Sequence, residues 1–136
     1  MSFLSLGDHE YVSLVTRRRT GAPVPTPVWI VRDGDELLVW TRSDSGKVKR
    51  LRNDPRVTLA PCDVRGRVAD AAPAAAGTAR LLEDSAGLTR VRRAMARKYG
   101  WKFRLMDSGG AVLRLGRRPH TGIAVRPEPS ADGPQP

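Results

Sequence analysis

Pro23-Val24-Pro25-Thr26-Pro27-Val28-Trp29 carries prolines at three alternate positions inside a stretch that otherwise reads as a strand. Proline has no backbone N–H, and alternate residues of a strand direct their N–H groups to the same edge. One edge of this strand is therefore stripped of donors and cannot complete an ordinary ladder. It must meet solvent, a bend, or something that is not a peptide strand. A flat heterocycle beside the strand satisfies that requirement, with Thr26, Val28 and Trp29 still able to offer backbone or side-chain bonds. So does a bent edge strand whose Trp29 packs into the core.

The flanking sequence supplies partners for such a strand. Tyr11–Thr16 is rich in β-branched residues and ends in the polar turn Arg17–Gly21, as a first strand should. The proline-bearing strand is expected over Pro23–Val31. Asp33-Gly34 then signals a hairpin, because the central residues of a type I′ turn need positive φ. Glu36–Thr41 follows as a third strand, antiparallel to the second. Over Ser43–Asp54 the period changes: Val48 and Leu51 stand three apart among lysines and arginines, as in a short exposed helix. Asp44 or Ser45 is its N-cap, and Pro55 forces Asp54 out of helical angles. Further strands are expected at Arg56–Cys62, Gly77–Leu82 and His120–Arg126. Asp84–Tyr99 shows a helical stripe of Leu88, Val91, Met95 and Tyr99, with Arg90, Arg93 and Arg97 facing out. Residues 100–119 carry no clear pattern. Six antiparallel strands and two helices match a small closed barrel, mainly β with minor α, although an open α+β sheet fits the same elements. The organisation expected is one barrel domain over residues 1–126 and a proline-rich, disordered tail over 127–136.

Bulk properties narrow the classes. At 136 residues, 40% of them hydrophobic, the chain can bury a core without staples. Its single cysteine, Cys62, excludes an internal disulfide and suits a reducing cytoplasm. Neither a signal peptide nor an apolar run near the ~20 residues that span a bilayer is expected. The net charge of +10 points to a polyanionic partner, a phosphorylated ligand, or simply an arginine-rich surface. Nucleic acid is the weakest of these, since the few aromatic residues are not interleaved with the basic ones.

One basic cluster is placed to do more. Ser45-Gly46-Lys47-Val48-Lys49-Arg50 follows a strand and opens a helix. First-turn N–H groups lack partners and carry partial positive charge, which suits an anion. Thr41, Ser43 and Ser45 add hydroxyls, Lys47, Lys49 and Arg50 add charge, and Gly46 permits close approach to the backbone. A phosphate site and a merely solvated basic helix account for the cluster about equally well. His9 and His120 are isolated and read as surface or strand-end residues, Cys62 reads as a small buried hydrophobe, and no metal-ligand spacing occurs.

The ordered blocks Tyr11-Val-Ser-Leu-Val-Thr16, Gly21-Ala-Pro-Val-Pro-Thr-Pro-Val-Trp29, Leu38-Val-Trp-Thr41, Ser45-Gly-Lys-Val-Lys-Arg-Leu51 and Asn53-Asp-Pro-Arg-Val-Thr-Leu-Ala-Pro-Cys-Asp63 together resemble one family. It is that of the pyridoxamine 5′-phosphate oxidase-like, F420-dependent oxidoreductases of actinobacteria. Gly77-Thr-Ala-Arg-Leu81 and Arg97-Lys-Tyr99 extend the likeness to about residues 5–126.

The resemblance implies a six-stranded split β-barrel, with a short helix after the third strand, working as a homodimer whose cofactor lies between subunits. It implies coenzyme F420, with FMN as the alternative, transferring a hydride to or from a small conjugated substrate. A non-catalytic carrier of a flavin, deazaflavin or tetrapyrrole would use the same groove. In related FMN-binding oxidases a Ser-Arg-Lys segment grips the phosphate. Here Ser45-Gly46-Lys47 occupies its place with glycine for arginine, so Lys49 or Arg50 would supply the missing charge. Pro27-Val28-Trp29 would lie along the ring system, with Pro61 and Cys62 approaching from the other side. The redox chemistry then belongs to the cofactor, and the protein binds, orients and excludes water.

Overall fold

The computed structural model describes residues 3–69, 72–103 and 120–128. A 3₁₀ helix at Phe3–Asp8 leads into strands β1 (Tyr11–Arg17), β2 (Pro23–Trp29), β3 (Val31–Asp33) and β4 (Glu36–Arg42). Helix α1 (Gly46–Asn53), β5 (Arg56–Pro61), β6 (Ala75–Leu82), helix α2 (Ser85–Tyr99) and β7 (His120–Pro127) complete the order. The strands form one antiparallel sheet in the order β2-β1-β5-β6-β7-β4-β3. Its two outermost members, β2 and β3, are consecutive in the chain and separated by Ile30 alone. The sheet is therefore curled almost into a barrel, with the split between β2 and β4.

The strand expected over Pro23–Val31 is thus two strands, which makes seven instead of six, and the prolines explain the break. In β1, the Tyr11 carbonyl accepts from Cys62 N–H, so Tyr11, Ser13 and Val15 direct their backbone groups toward β5. Val12, Leu14 and Thr16 must then serve β2, opposite Val28, Thr26 and Val24. That leaves Pro23, Pro25 and Pro27 turned to the far edge, where none can donate to β4. Pairing with β4 resumes only past them, with Val31 opposite Leu38 and Asp33 opposite Glu36.

A corner without ladder bonds must find other partners for its backbone. The Ile30 N–H donates to the Tyr99 hydroxyl at 2.9 Å, and that hydroxyl donates to the Glu10 carbonyl at 2.7 Å. Lys98 spends its three N–H bonds on the carbonyls of Gly7 (2.7 Å), His9 (2.5 Å) and Ile30 (2.5 Å). Burial lowers the Lys98 pKa against the opposing pull of Asp8 and Glu10. The Tyr99 phenol is pushed up to about 12, chiefly by burial. The end of α2 thus locks the corner to the chain's opening turn.

Two apolar clusters hold the layers together. Val12, Leu14, Val28, Leu37, Val39, Leu59, Ile123 and Val125 fill the barrel interior. Val91, Ala94, Met95 and Tyr99 of α2 cover Val31, Leu38 and Ala124 on the outside. With both its faces covered, β4 reads as the unbroken run Leu37-Leu38-Val39-Trp40. Gly122 permits the helix to approach, since a Cβ there would lie 2.6 Å from Val91 Cγ2.

Local signals held with small shifts. Ser45 caps α1 by accepting the Val48 N–H, and Asp84 caps α2 by accepting the Gly87 N–H. The hairpin turn is Gly34-Asp35, one residue beyond the expected pair, with Gly34 at φ 66°. Strand β6 starts at Ala75 and β7 runs on to Pro127, after which the Glu128 N–H donates to the Ala76 carbonyl. Most of segment 100–119 and of the tail expected over 127–136 lies outside the described residues.

Arg90 is not the outward residue that the helical stripe suggested. Its guanidinium reaches Asp33 at 2.6 Å and Glu36 at 2.9 Å, and Arg80 (3.1 Å) and Arg126 (2.9 Å) also reach Glu36. Burial alone would raise the Glu36 pKa. Hydrogen bonds from Arg90 and Arg126 and the charge of Arg80 outweigh it and hold the carboxyl below its ordinary 4.5.

Two outcomes are expected. Tyr99→Phe leaves the Ile30 N–H and the Glu10 carbonyl without their partner, and should cost about 1–3 kcal/mol in denaturant unfolding. Because the folded Glu36 pKa is depressed, its contribution is complete above the unfolded value and fades as pH falls through the folded one. Glu36→Gln should therefore be less stable than wild type by roughly 1.5–3 kcal/mol at neutral pH. Urea titrations should show that gap closing as pH drops below 4.5.

Candidate functional site

The split between β2 and β4 opens into a cavity of about 340 Å³, within the range of small-molecule sites. Pro27, Val28 and Trp29 of β2, with Tyr11 of β1, form one wall. Trp40 and Thr41 of β4, with His120 of β7, form the other, and Met95 and Phe103 close the α2 side. The donor-free edge of β2 thus borders a cavity instead of a strand. Along that edge only Trp29 keeps an N–H, while the carbonyls of Pro25, Pro27 and Trp29 remain as acceptors.

Both indoles are held from behind. Trp29 stacks on Tyr99 with centroids 4.3 Å apart and planes 6° from parallel, so the residue that pins the Ile30 corner also orients this wall. Trp40 stacks on His120 at 4.8 Å and 11°, meets Phe103 edge-on at 6.0 Å, and carries Arg92 over its ring at 5.3 Å. Such contacts fix aromatic rings in place as well as adding area.

Lys47, in the first turn of α1, supplies the charge. It lines the cavity half-buried, and neither an ion pair nor a hydrogen bond engages its ammonium among the described residues. Burial lowers its pKa, and the charges of Arg50 and Arg42 lower it further. A buried cation among cations is costly and is relieved by an anion.

Of the residues expected at the site, the structure brings Pro27, Val28, Trp29, Thr41 and Lys47 onto the cavity wall. Ser45 and Gly46 precede Lys47 without lining the cavity themselves, and the Thr41 hydroxyl donates to Ser45 Oγ at 3.4 Å. Arg50 lies beside this group. Its Nε donates to Thr16 Oγ1 at 2.6 Å, and its Nη1 lies 2.7 Å from where a Gly46 Cβ would be. Burial and then the Arg18 charge lower its pKa. Thr26 sits half-buried opposite Leu14, and Lys49 faces solvent. Pro61 and Cys62 are separated from the β2 edge by β1, and do not line the cavity. The Cys62 thiol pKa is raised by burial and then by Asp63.

Sequence reasoning did not assign Tyr11, Met95, Phe103 or His120 to the site. His120 is the strand-end residue expected, but the β4–β7 register sets it opposite Arg42, at the cavity. The distance between β4 and β7 along the chain hides that pairing from any local pattern. No helix among the described residues is long and apolar enough to cross a membrane.

Solved structures share this architecture. HutZ, the heme storage protein from Vibrio cholerae, superposes with a TM-score of 0.68 at 15% identity, over 92% of this chain and 86% of its own. A conserved hypothetical protein from Mycobacterium tuberculosis gives 0.65 at 24% identity, over 94% and 81%. An F420 reductase gives 0.57 at 18% identity, over 94% of each chain. At these identities the likeness is one of fold. No curated protein matches the sequence. The family described as pyridoxamine 5′-phosphate oxidase matches residues 3–128, nearly the whole chain. With the split barrel, the donor-free β2 edge and the lysine-bearing turn all in place, the chain belongs to the pyridoxamine 5′-phosphate oxidase family.

Proposed function

We propose that the protein is a deazaflavin-dependent oxidoreductase that binds coenzyme F420 in the β2–β4 cleft and acts on a small conjugated substrate. The observation that carries this reading is the Lys47 ammonium, half-buried without a partner among the described residues, beside a cavity walled by Trp29 and Trp40. A cofactor joining a flat ring system to a phosphorylated chain satisfies both halves of that site. Lys47 would hold the phosphate, with Arg50 as second cation. Arginine at position 46 would compete for the space its guanidinium occupies, so Gly46 and Arg50 together replace the missing arginine of the Ser-Arg-Lys grip. The carbonyls on the β2 edge would accept from ring N–H groups, and Trp29 N–H would donate to a ring acceptor. Bound F420 supplies a hydride at its ring carbon. The chain itself fixes the ring between walls that exclude water. Family membership supports the reading, and an F420 reductase is among the proteins that share the fold.

A homodimer is part of the proposal. One chain leaves the β2 edge open, with Pro23, Pro25 and Pro27 exposed and the turn at Gly66 against Pro27. Val64 beside that turn is 61% exposed. A second copy of the chain would cover this apolar margin and complete the groove.

Tryptophan fluorescence tests the cofactor directly, because Trp29 and Trp40 both line the cavity. F420 added to the apo-protein should quench it saturably and bind more tightly than FMN; tight FMN binding without a response to F420 would overturn the assignment. Lys47→Ala should weaken F420 by about 1.5–3 kcal/mol, the worth of a charge-assisted bond. Unchanged affinity in that variant would remove Lys47 from the phosphate.

A further inference from the structure

We propose that Thr20 is a phosphorylation site for an arginine-directed protein kinase, and that its phosphate weakens the hold of Lys47 and Arg50 on an anionic ligand. The second half rests on the reading of the cleft as a site for a phosphorylated cofactor. Arg17-Arg18-Arg19 immediately precedes Thr20 at the tip that joins β1 to β2. Guanidinium groups just before a hydroxyl residue are what an acidic substrate groove recognises. Thr121 also follows an arginine pair, Arg117-Arg118, but it is fully buried, whereas Arg18, Arg19 and Thr20 are exposed. The fold thus separates two motifs that read alike.

A kinase takes its substrate as an extended segment, so the tip must open, and little holds it shut. The last pair able to share ladder bonds is Thr16 with Val24, because Pro23, opposite Arg17, has no N–H. Past that point the Arg18 N–H donates to the Ala22 carbonyl at 2.9 Å, and the Gly21 N–H to the Arg18 carbonyl at 2.8 Å. Arg17 Nη1 reaches the Gly21 carbonyl at 3.3 Å, and the Ala22 N–H reaches Thr20 Oγ1 at 3.4 Å, both in contact with water. No residue from Arg17 to Pro23 is buried, so opening the tip removes nothing from the core. Residues 18–20 are also polar, and fall outside the apolar margin assigned to a second copy.

In the reaction the Thr20 hydroxyl oxygen bonds to the γ-phosphorus of ATP as the bond to the β,γ-bridging oxygen breaks. ADP leaves, and the hydroxyl proton passes to the kinase's aspartate. The new group carries about 1.5–2 negative charges at neutral pH. It arrives among cations that the fold leaves unneutralised. Among the described residues no carboxylate pairs with Arg18, Arg19 or Arg50. Arg18 acts on Arg50 by charge, and Arg50 is anchored through Nε to Thr16 Oγ1 at 2.6 Å, four residues before Thr20. A phosphate on Thr20 therefore relieves the repulsion that a ligand would otherwise relieve, and repels the ligand's own phosphate.

The full chain is incubated with Mg·ATP and the catalytic subunit of cAMP-dependent protein kinase, and the product is mapped by mass spectrometry. One phosphoryl group per chain is expected at Thr20, and none in Thr20→Val, which should bind F420 as wild type does. Absence of phosphate from Thr20 overturns the site. In the apo-protein, the NMR signal of the Arg50 Nε–H should shift on phosphorylation, while that of the Arg90 Nε–H, bonded to Asp33, stays in place. An unmoved Arg50 signal overturns the coupling. Phosphorylation should then weaken F420 by about 5–30-fold in the tryptophan-quenching assay, a share of one charge-assisted bond. Equal affinity of the two forms overturns the regulatory role. Failure of both forms to bind F420 overturns the cofactor reading instead, and the site and its coupling are then decided by the mass and NMR results.

Discussion

The backbone at Ile30 has no strand on either side to receive it, and the architecture depends on how that deficit is met. Tyr99 and Lys98 provide the bonds, reaching across 69 and 68 positions of sequence. They hold the point at which the chain leaves β1 after Trp29 and joins β4 at Val31. Because those partners end α2, the same contacts settle the helix on the outer face of β3 and β4. Corner, helix and opening turn therefore form one cooperative unit.

The site inherits its geometry from that unit. Tyr99 bonds the corner through its hydroxyl and supports Trp29 through its ring, so one side chain sets both the edge of the split and the orientation of its wall. On the facing side, Trp40 leaves a strand buried on both faces and is held by His120, Phe103 and Arg92. Both walls are thus supported from behind, and support of that kind lowers the ordering cost of binding in a cleft.

Charge is divided between two ends of the barrel in opposite ways. Around Glu36 three arginines converge on one buried carboxylate, and the attraction is consumed within the fold. Around Lys47 the neighbours named by charge are the cations Arg50 and Arg42, and among the described residues no carboxylate pairs with its ammonium. The large positive net charge conceals this difference, since scattered arginines look alike in sequence whether they tie strands together or face a cleft.

Local features were legible because local chemistry causes them. β-Branched residues marked β1, a hairpin signal marked β4, a polar cap and a following proline bounded α1, and three prolines at spacing two disclosed an edge that would not pair. The lysine-bearing turn was legible as a basic helix start, since the cap and the charges lie within a few residues of each other. Tertiary structure alone decided which strand would face the blocked edge, that Arg90 would turn inward to Asp33 and Glu36, and that His120 would come to rest on Trp40. It also separated Pro61 and Cys62 from the cleft by one strand. The reason is that a side chain's neighbours across a sheet follow from strand order and register, and these are set by the whole core settling at once.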